Sequence, residues 1–232
     1  ADPNTTTSTA AVTTATALMA SHTTGGPAGV GKSALARLLA VEVTKAGWTA
    51  KIADLDPAQG TSTKWKARRD SAGLQPDVAV EKFRTVDRAL KEADHYDLLI
   101  LDGPAHAEQG GKVMARASDL VVMPTGYSLD DMEPQVEAAY ELEEAGIDPA
   151  SILFVFCRAK GSDAEDRAAR SYLRKARMSV LDPVFPELAS IRQGHAEGRA
   201  ASEVPFTKVQ EKVIEVAQEI VDQLIKRRKE AA

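Results

Sequence analysis

Gly26-Pro27-Ala28-Gly29-Val30-Gly31-Lys32-Ser33 decides the reading of this 232-residue chain. The run fits G-x-x-x-x-G-K-[ST], a phosphate-binding loop. Its glycines let the backbone curl until successive N–H groups point inward and form an anion-binding nest. Ala34, Leu35, Leu38, Leu39 and Val41 follow at helical spacing, so a helix starts at the loop and adds its positive dipole end. In that setting Lys32 reaches the β- and γ-phosphates of a nucleoside triphosphate, and the Ser33 hydroxyl ligates Mg²⁺. The expected nucleotide-binding residues are Gly26, Pro27, Ala28, Gly29, Val30, Gly31, Lys32, Ser33 and Ala34.

Outward from the loop the sequence alternates strand-like and helix-like stretches. That rhythm predicts an α/β fold, a mostly parallel twisted sheet with helices on both faces. A first strand is expected over Thr16–Thr23, with Thr and Ala in place of the usual Val and Ile. The predicted helices are Gly31–Ala46, Thr61–Ser71, Arg84–Ala93, Gln109–Ala117, Leu129–Ala145, Ala164–Ala176 and Val204–Lys229. The predicted strands are Trp48–Leu55, Asp77–Phe83, Tyr96–Leu101, Asp119–Met123 (ended by Pro124), Ser151–Cys157 and Val180–Phe185. Ala1–Ala15, rich in Thr and Ala, reads as a tail, disordered or left by expression. Residues 16–229 read as one domain, since no Pro-, Gly- or Ser-rich linker divides them.

Ligands of open α/β sheets sit outside the carboxyl ends of the strands. Asp54, Asp56 and Asp102 fall there. Asp102 ends an apolar strand, where it holds Mg²⁺ through water opposite Ser33. Asp54 or Asp56 orients the attacking water. The motifs argue against a regulatory GTPase: Asp102-Gly103-Pro104-Ala105 is not D-x-x-G, and Cys157-Arg158-Ala159-Lys160 is not an N-K-x-D guanine reader. Arg167–Arg177 could pass for the Arg-rich lid of a small-molecule kinase, but a solvated helix face explains it better.

Composition narrows the classes further. Hydrophobic residues at 44% and charged residues at 27% are those of an ordinary globular chain. A net charge of −5 argues against a generally basic nucleic-acid binder while allowing a local patch. Two basic clusters stand out, Lys64-Lys66-Arg68-Arg69 and Lys226-Arg227-Arg228-Lys229. The single cysteine, Cys157, excludes a disulfide framework, fits a reducing cytoplasm and reads as a buried small side chain. It also rules out the paired-cysteine cluster site of nitrogenase iron proteins. His22 has no metal-spaced partner. No apolar run nears the roughly 20 residues of a membrane span, and no signal peptide is expected at the N-terminus.

With these residues in view, the chain resembles the ParA/MinD group of deviant Walker P-loop ATPases, most of all the short ParA type without an N-terminal DNA-binding domain. The match is carried by Gly29–Ser33, by Asp54-Leu55-Asp56-Pro57-Ala58-Gln59-Gly60 with Trp65 after it, by Tyr96–Pro104 and by Ser118–Asp130. Ser190–Val204 is similar to the family segment before the last helix. The resemblance implies ATP and Mg²⁺ as cofactors, catalytic roles for Lys32, Asp54 and Asp56, and metal-site roles for Ser33, Asp56 and Asp102. Within these, Asp56 positions the hydrolytic water, Asp54 supports the site and Asp102 is the outer Mg²⁺ residue. It further implies an ATP-dependent homodimer that binds DNA without sequence preference. A ParB-like or cargo-adaptor partner stimulates hydrolysis, in a cycle that moves DNA or large protein cargoes over the nucleoid. The family loop reads K-G-G-x-G-K-[ST], and its first lysine crosses the dimer. Here that position is Pro27 and the next is Ala28, so the resemblance does not extend to the trans contact. An ATP-binding scaffold with impaired hydrolysis or dimerisation is the alternative, and a metabolic P-loop ligase another. A MinD-like membrane anchor is not expected, since the last helix has no Trp, nor any Phe after Phe206.

Overall fold

Along β4 (Leu98–Asp102) the side chains alternate between two separate apolar cores. Leu98 and Ile100 join one, Leu99 and Leu101 the other, as period-2 geometry requires of a strand covered on both faces. The computed structural model describes residues 14–18, 31–56, 58–103, 108–157 and 162–231, with backbone only at 14–18, 108–109 and 231. The remaining strands are β1 (Thr14–Leu18), β2 (Ala50–Asp54), β3 (Ala79–Lys82), β5 (Leu120–Thr125), β6 (Ile152–Phe156) and β7 (Ser179–Val180). All pair in parallel, in the order β3-β2-β4-β1-β5-β6-β7.

The strand order and the right-handed crossover rule place every helix. Connections running from β1 toward β3 must cover one face, and those running from β3 toward β7 the other. The first set holds α1 (Lys32–Lys45) and α2 (Thr61–Ser71), joined by α7 (Ala189–Ala196) and α8 (Thr207–Ala231). Leu35, Leu38, Leu39, Trp65, Ile191, Val213, Val216 and Ile220 share that core. The second set holds α3 (Val86–Leu90), α4 (Glu108–Arg116), α5 (Leu129–Glu144) and α6 (Asp163–Lys175). The chain leaves β1 in one direction and the adjacent β4 in the other, so a topological switch point lies between them.

Local chemistry sets several boundaries. Ser162 and Glu165 form a reciprocal capping box that starts α6. β1 begins at Thr14, pairing Thr14 and Ala15 with Leu98 and Leu99, two residues before the boundary drawn from sequence. Positions 19–23 of the expected first strand, His22 among them, lie outside the described residues. β5 does not stop at Pro124 but runs through it to Thr125. Thr125 O accepts from the Cys157 amide, so Thr125 faces β6 and Pro124 faces the β1 side. The described β1–β5 ladder ends there at Leu18 opposite Val122, so the missing Pro N–H breaks no bond in it. The late strand over Val180–Phe185 shrinks to Ser179–Val180 plus one bridge, Cys157 with Phe185, because Pro183 cannot donate to a ladder. The expected helix Arg84–Ala93 divides into α3 and a 3-10 turn at Ala93–His95.

Two elements absent from the sequence reading are α7 and the 3-10 turn Ala201–Glu203. Both grip α2. A Cβ on Gly198 would stand 2.4 Å from the Arg69 amide nitrogen and 2.6 Å from its Cα, and Gly198 has φ +82°. Gly198→Ala must therefore push α7 and α2 apart. Overpacking plus the left-handed backbone makes the expected loss about 2–4 kcal/mol, read as a fall in urea midpoint at unchanged m-value.

Candidate nucleotide site

Asp54 and Asp102 end β2 and β4, and their Cα atoms are register partners. Parallel pairing thus sets two carboxylates side by side at the carboxyl edge of the sheet, 1% and 3% exposed. Two hydroxyls hold Asp102: Ser33 donates to Oδ1 at 3.2 Å and Ser62 to Oδ2 at 2.7 Å. Burial still pushes the Asp102 carboxyl above its usual range, with the two hydroxyls and Arg37 opposing the shift. Among the described residues these groups do not offset the cost of burying the anion.

Asp54 works differently. Its Oδ2 accepts from the Thr63 amide at 2.9 Å and the Thr63 hydroxyl at 2.8 Å. Its Oδ1 accepts from the Asp56 amide at 3.2 Å. Thr63 is the third residue of α2, and the preceding Gly60 caps the helix with no side chain. A carboxylate from the sheet therefore supplies the capping acceptor that the local sequence lacks. Asp56 is less buried; its Oδ1 accepts from the Gln59 amide at 3.1 Å.

Lys32 opens α1 and is 7% exposed. Burial lowers its pKa, while Asp102 and Asp56 oppose the shift. Before it, Gly31 sits at φ +94°, and a Cβ there would meet the Cys157 Sγ at 3.0 Å. Cys157 is fully buried, as its apolar run predicts. Gly26, Pro27, Ala28, Gly29 and Val30 lie outside the described residues, as do Pro57, residues 104–107 and 158–161. Ala34 is half-buried on the first turn of α1.

The donor set fits Mg²⁺ with a nucleotide. Among the described residues no group of three or more His, Cys, Asp or Glu could hold a metal ion. Mg²⁺ in triphosphate sites takes one or two protein oxygens and completes its shell with phosphates and water. Ser33 gives its hydrogen to Asp102, which leaves its lone pairs for a hard cation, and the buried Asp102 gains from a nearby positive charge.

Sequence reasoning missed Ser62, Thr63 and Arg37. Arg37, 4% exposed on α1, donates from Nη2 to Thr61 O at 2.8 Å. Its guanidinium lies 5.6 Å from the Trp65 ring centre, and that of Arg69 lies 5.3 Å from the same ring. Burial brings Arg37 down to about 10, so it stays a cation at neutral pH. The spacing of Ser62, Trp65 and Arg69, three then four residues apart, marks the buried face of α2 in the sequence itself.

The basic clusters look different in the structure. Arg69 is fully buried and ion-paired to Glu203, and Lys66 is bound to Asp70 and Asp77. Lys64 and Arg68 remain exposed, although Arg68 donates to His195 O at 3.3 Å. At the end of α8, Arg227 pairs with Asp148 and Glu230, while Lys226 and Lys229 are exposed.

His195 adds a pH response. Its Nε2 is buried without a hydrogen-bond partner among the described residues. Burial, with Arg37 and Arg68 nearby, brings its pKa from 6.5 to about 3. The unfolded chain therefore takes up this proton first. The stability tied to neutral His195 is whole above pH 6.5 and is lost as pH falls toward 3. His195→Gln is expected to shrink the drop in urea midpoint between pH 7 and pH 5.

The parallel strand order and the switch point beside β4 define an α/β fold of the P-loop NTPase kind. Solved structures with the same architecture make the class narrower. MinD from Pyrococcus horikoshii OT3, a septum site-determining protein complexed with Mg-ADP, matches with TM-score 0.68 at 18% identity, covering 89% of this chain and 95% of that one. An McdA variant from Cyanothece in complex with ATP matches with TM-score 0.68 at 16% identity, covering 91% and 97%. A ParA-family ATPase from Chlorobium tepidum TLS matches with TM-score 0.62 at 13% identity, covering 89% and 99%. No family model matches the chain, and no curated protein does. The chain thus has the fold of the ParA/MinD group of P-loop ATPases.

Proposed function

We propose that the chain is a ParA-like ATPase that binds ATP with Mg²⁺, dimerises on it and hydrolyses it slowly. The cycle positions DNA or a large protein cargo. The observation that carries this reading is the meeting of Lys32, Ser33, Asp54, Asp56 and Asp102 at the carboxyl edge of β2 and β4. Mg-ADP in the Pyrococcus horikoshii MinD and ATP in the Cyanothece McdA variant support ATP and Mg²⁺ here. Lys32 binds the phosphates, and Ser33 with Asp102 holds Mg²⁺, which neutralises charge on the β- and γ-oxygens. Asp54, with both oxygens engaged by the Thr63 and Asp56 groups, braces the site. The more accessible Asp56 orients the attacking water and lies near the metal.

The exposed Lys64, Arg68, Lys226 and Lys229 are candidates for contact with non-specific DNA on the nucleoid, in the cytoplasm. A ParB-like or cargo-adaptor partner stimulates hydrolysis. No helix among the described residues is long and apolar enough to cross a membrane. Pro27, at the position of the cross-dimer lysine, favours a second reading, a nucleotide-binding scaffold that does not switch.

Sedimentation separates the two. Wild type and Asp56→Ala are run without nucleotide, with Mg·ATP, and with Mg·ATP plus duplex DNA at two salt concentrations. The positioning ATPase gives an ATP-dependent dimer, trapped most fully in Asp56→Ala, and DNA binding that needs ATP and weakens with salt. A monomer under every condition removes the positioning mechanism and leaves the scaffold.

A further inference from the structure

We infer that Arg37 is a positioning residue for the nucleotide site, resting on the reading above. One guanidinium hydrogen bond fixes the first turn of α2 and, through it, the hydroxyls on both site carboxylates. Arg37 is the only charged residue in the buried run Leu35–Val41 of α1. Its Nη2 donates to Thr61 O, the carbonyl of the first residue of α2. The next two residues are Ser62, whose hydroxyl holds Asp102, and Thr63, whose amide and hydroxyl hold Asp54. Gly60 at the helix cap offers no side chain to set this turn. Its placement comes from outside: Asp54 from the sheet and Arg37 from the helix that begins with Lys32 and Ser33.

The geometry does not serve stability alone. A buried cation is costly, and an apolar side chain of similar size is often at least as stabilising. The Arg37 Nε is also buried without a hydrogen-bond partner among the described residues, a further cost. What Arg37 adds, and an apolar residue would not, is a directed donor to Thr61 and a positive charge in the field of Asp102 and Asp54. It ties α2 to the phosphate-loop helix, so Ser33 and Ser62 reach Asp102 from two elements held in one register.

The test compares wild type, Arg37→Met and Arg37→Lys. Amide hydrogen exchange at Thr63–Trp65 is followed without nucleotide, and phosphate release is measured against ATP and Mg²⁺ concentration. Losing a hydrogen bond to a charged group is expected to speed exchange at this turn about tenfold or more in Arg37→Met. A shift of the site hydroxyls is expected to lower kcat by up to about 10²-fold with KM for ATP nearly unchanged, and to raise the Mg²⁺ needed for half-maximal turnover. Arg37→Lys, which keeps the charge and can still donate to Thr61 O but lacks the planar fork, restores part of both; it also serves if Arg37→Met fails to fold. Unchanged exchange at Thr63–Trp65 overturns the proposal, as does faster exchange with wild-type kcat and Mg²⁺ dependence. If the wild type releases no phosphate, the ATPase reading fails by itself. The Mg²⁺ dependence of ATP binding then decides Arg37: weakened in Arg37→Met it supports the positioning role, unchanged it overturns it.

Discussion

Arg69→Met lowers the melting temperature by about 6–20 °C. The figure combines about 3–5 kcal/mol for breaking a buried ion pair with about 2–4 °C per kcal/mol in a domain of this size. Arg69 has no exposed surface, and each of its donors has a place. Nη1 and Nη2 clasp the Glu203 carboxylate at 2.7 and 2.9 Å, Nε and Nη2 reach Pro76 O at 3.1 and 3.0 Å, and Nη1 also reaches Gly198 O at 3.2 Å. Five bonds use the five guanidinium hydrogens. Removing the cation strands Glu203 in a buried site and leaves two carbonyls unpaired. Adding Glu203→Met to Arg69→Met is expected to recover part of the loss, because the stranded charge is gone. Arg69→Lys, with three donors, falls between. A melting temperature within 2 °C of wild type in Arg69→Met would contradict the burial and pairing described here.

Lys32→Ala weakens Mg·ATP binding by roughly 10- to 150-fold, the equivalent of about 1.5–3 kcal/mol for a hydrogen bond to a charged group. The ammonium sits at the first turn of α1, already desolvated, in the field of Asp102 and Asp56. The cost of burying it is therefore met before any ligand arrives. Calorimetric titration of wild type and Lys32→Ala with Mg·ATP reads the difference directly, and circular dichroism checks that the variant keeps its fold. Equal affinities would place the triphosphate elsewhere.

The sheet and its helices were legible because their signals are local. The phosphate loop fixed the start of α1, and the apolar runs ending in Asp54 and Asp102 marked strand edges. Thr61–Ser71 was read with the limits the structure gives it. Where reading went astray, the deciding contact comes from far along the chain. Arg69 reads as part of a basic cluster because Glu203 is 134 residues away. α7 is short and carries Gly194, so its few buried positions give no period, yet it leads into Gly198, which packs directly on the backbone of α2. Pro124 looks like a stop, yet β5 runs through it to Thr125, whose carbonyl accepts from the amide of Cys157. At the site itself, sequence named the carboxylates and the phosphate-loop lysine and serine. It did not name Ser62, Thr63 or Arg37, which act by orienting others and belong to no motif.

Phosphate release from ATP, measured for wild type and Asp56→Ala with Mg²⁺ and with chelator, shows whether this sheet edge hydrolyses nucleotide. Slow, Mg²⁺-dependent release is expected of the wild type, and none above background of Asp56→Ala, which still binds ATP. Release that persists in Asp56→Ala, or a wild type that binds Mg·ATP and never turns it over, would contradict this reading of the site.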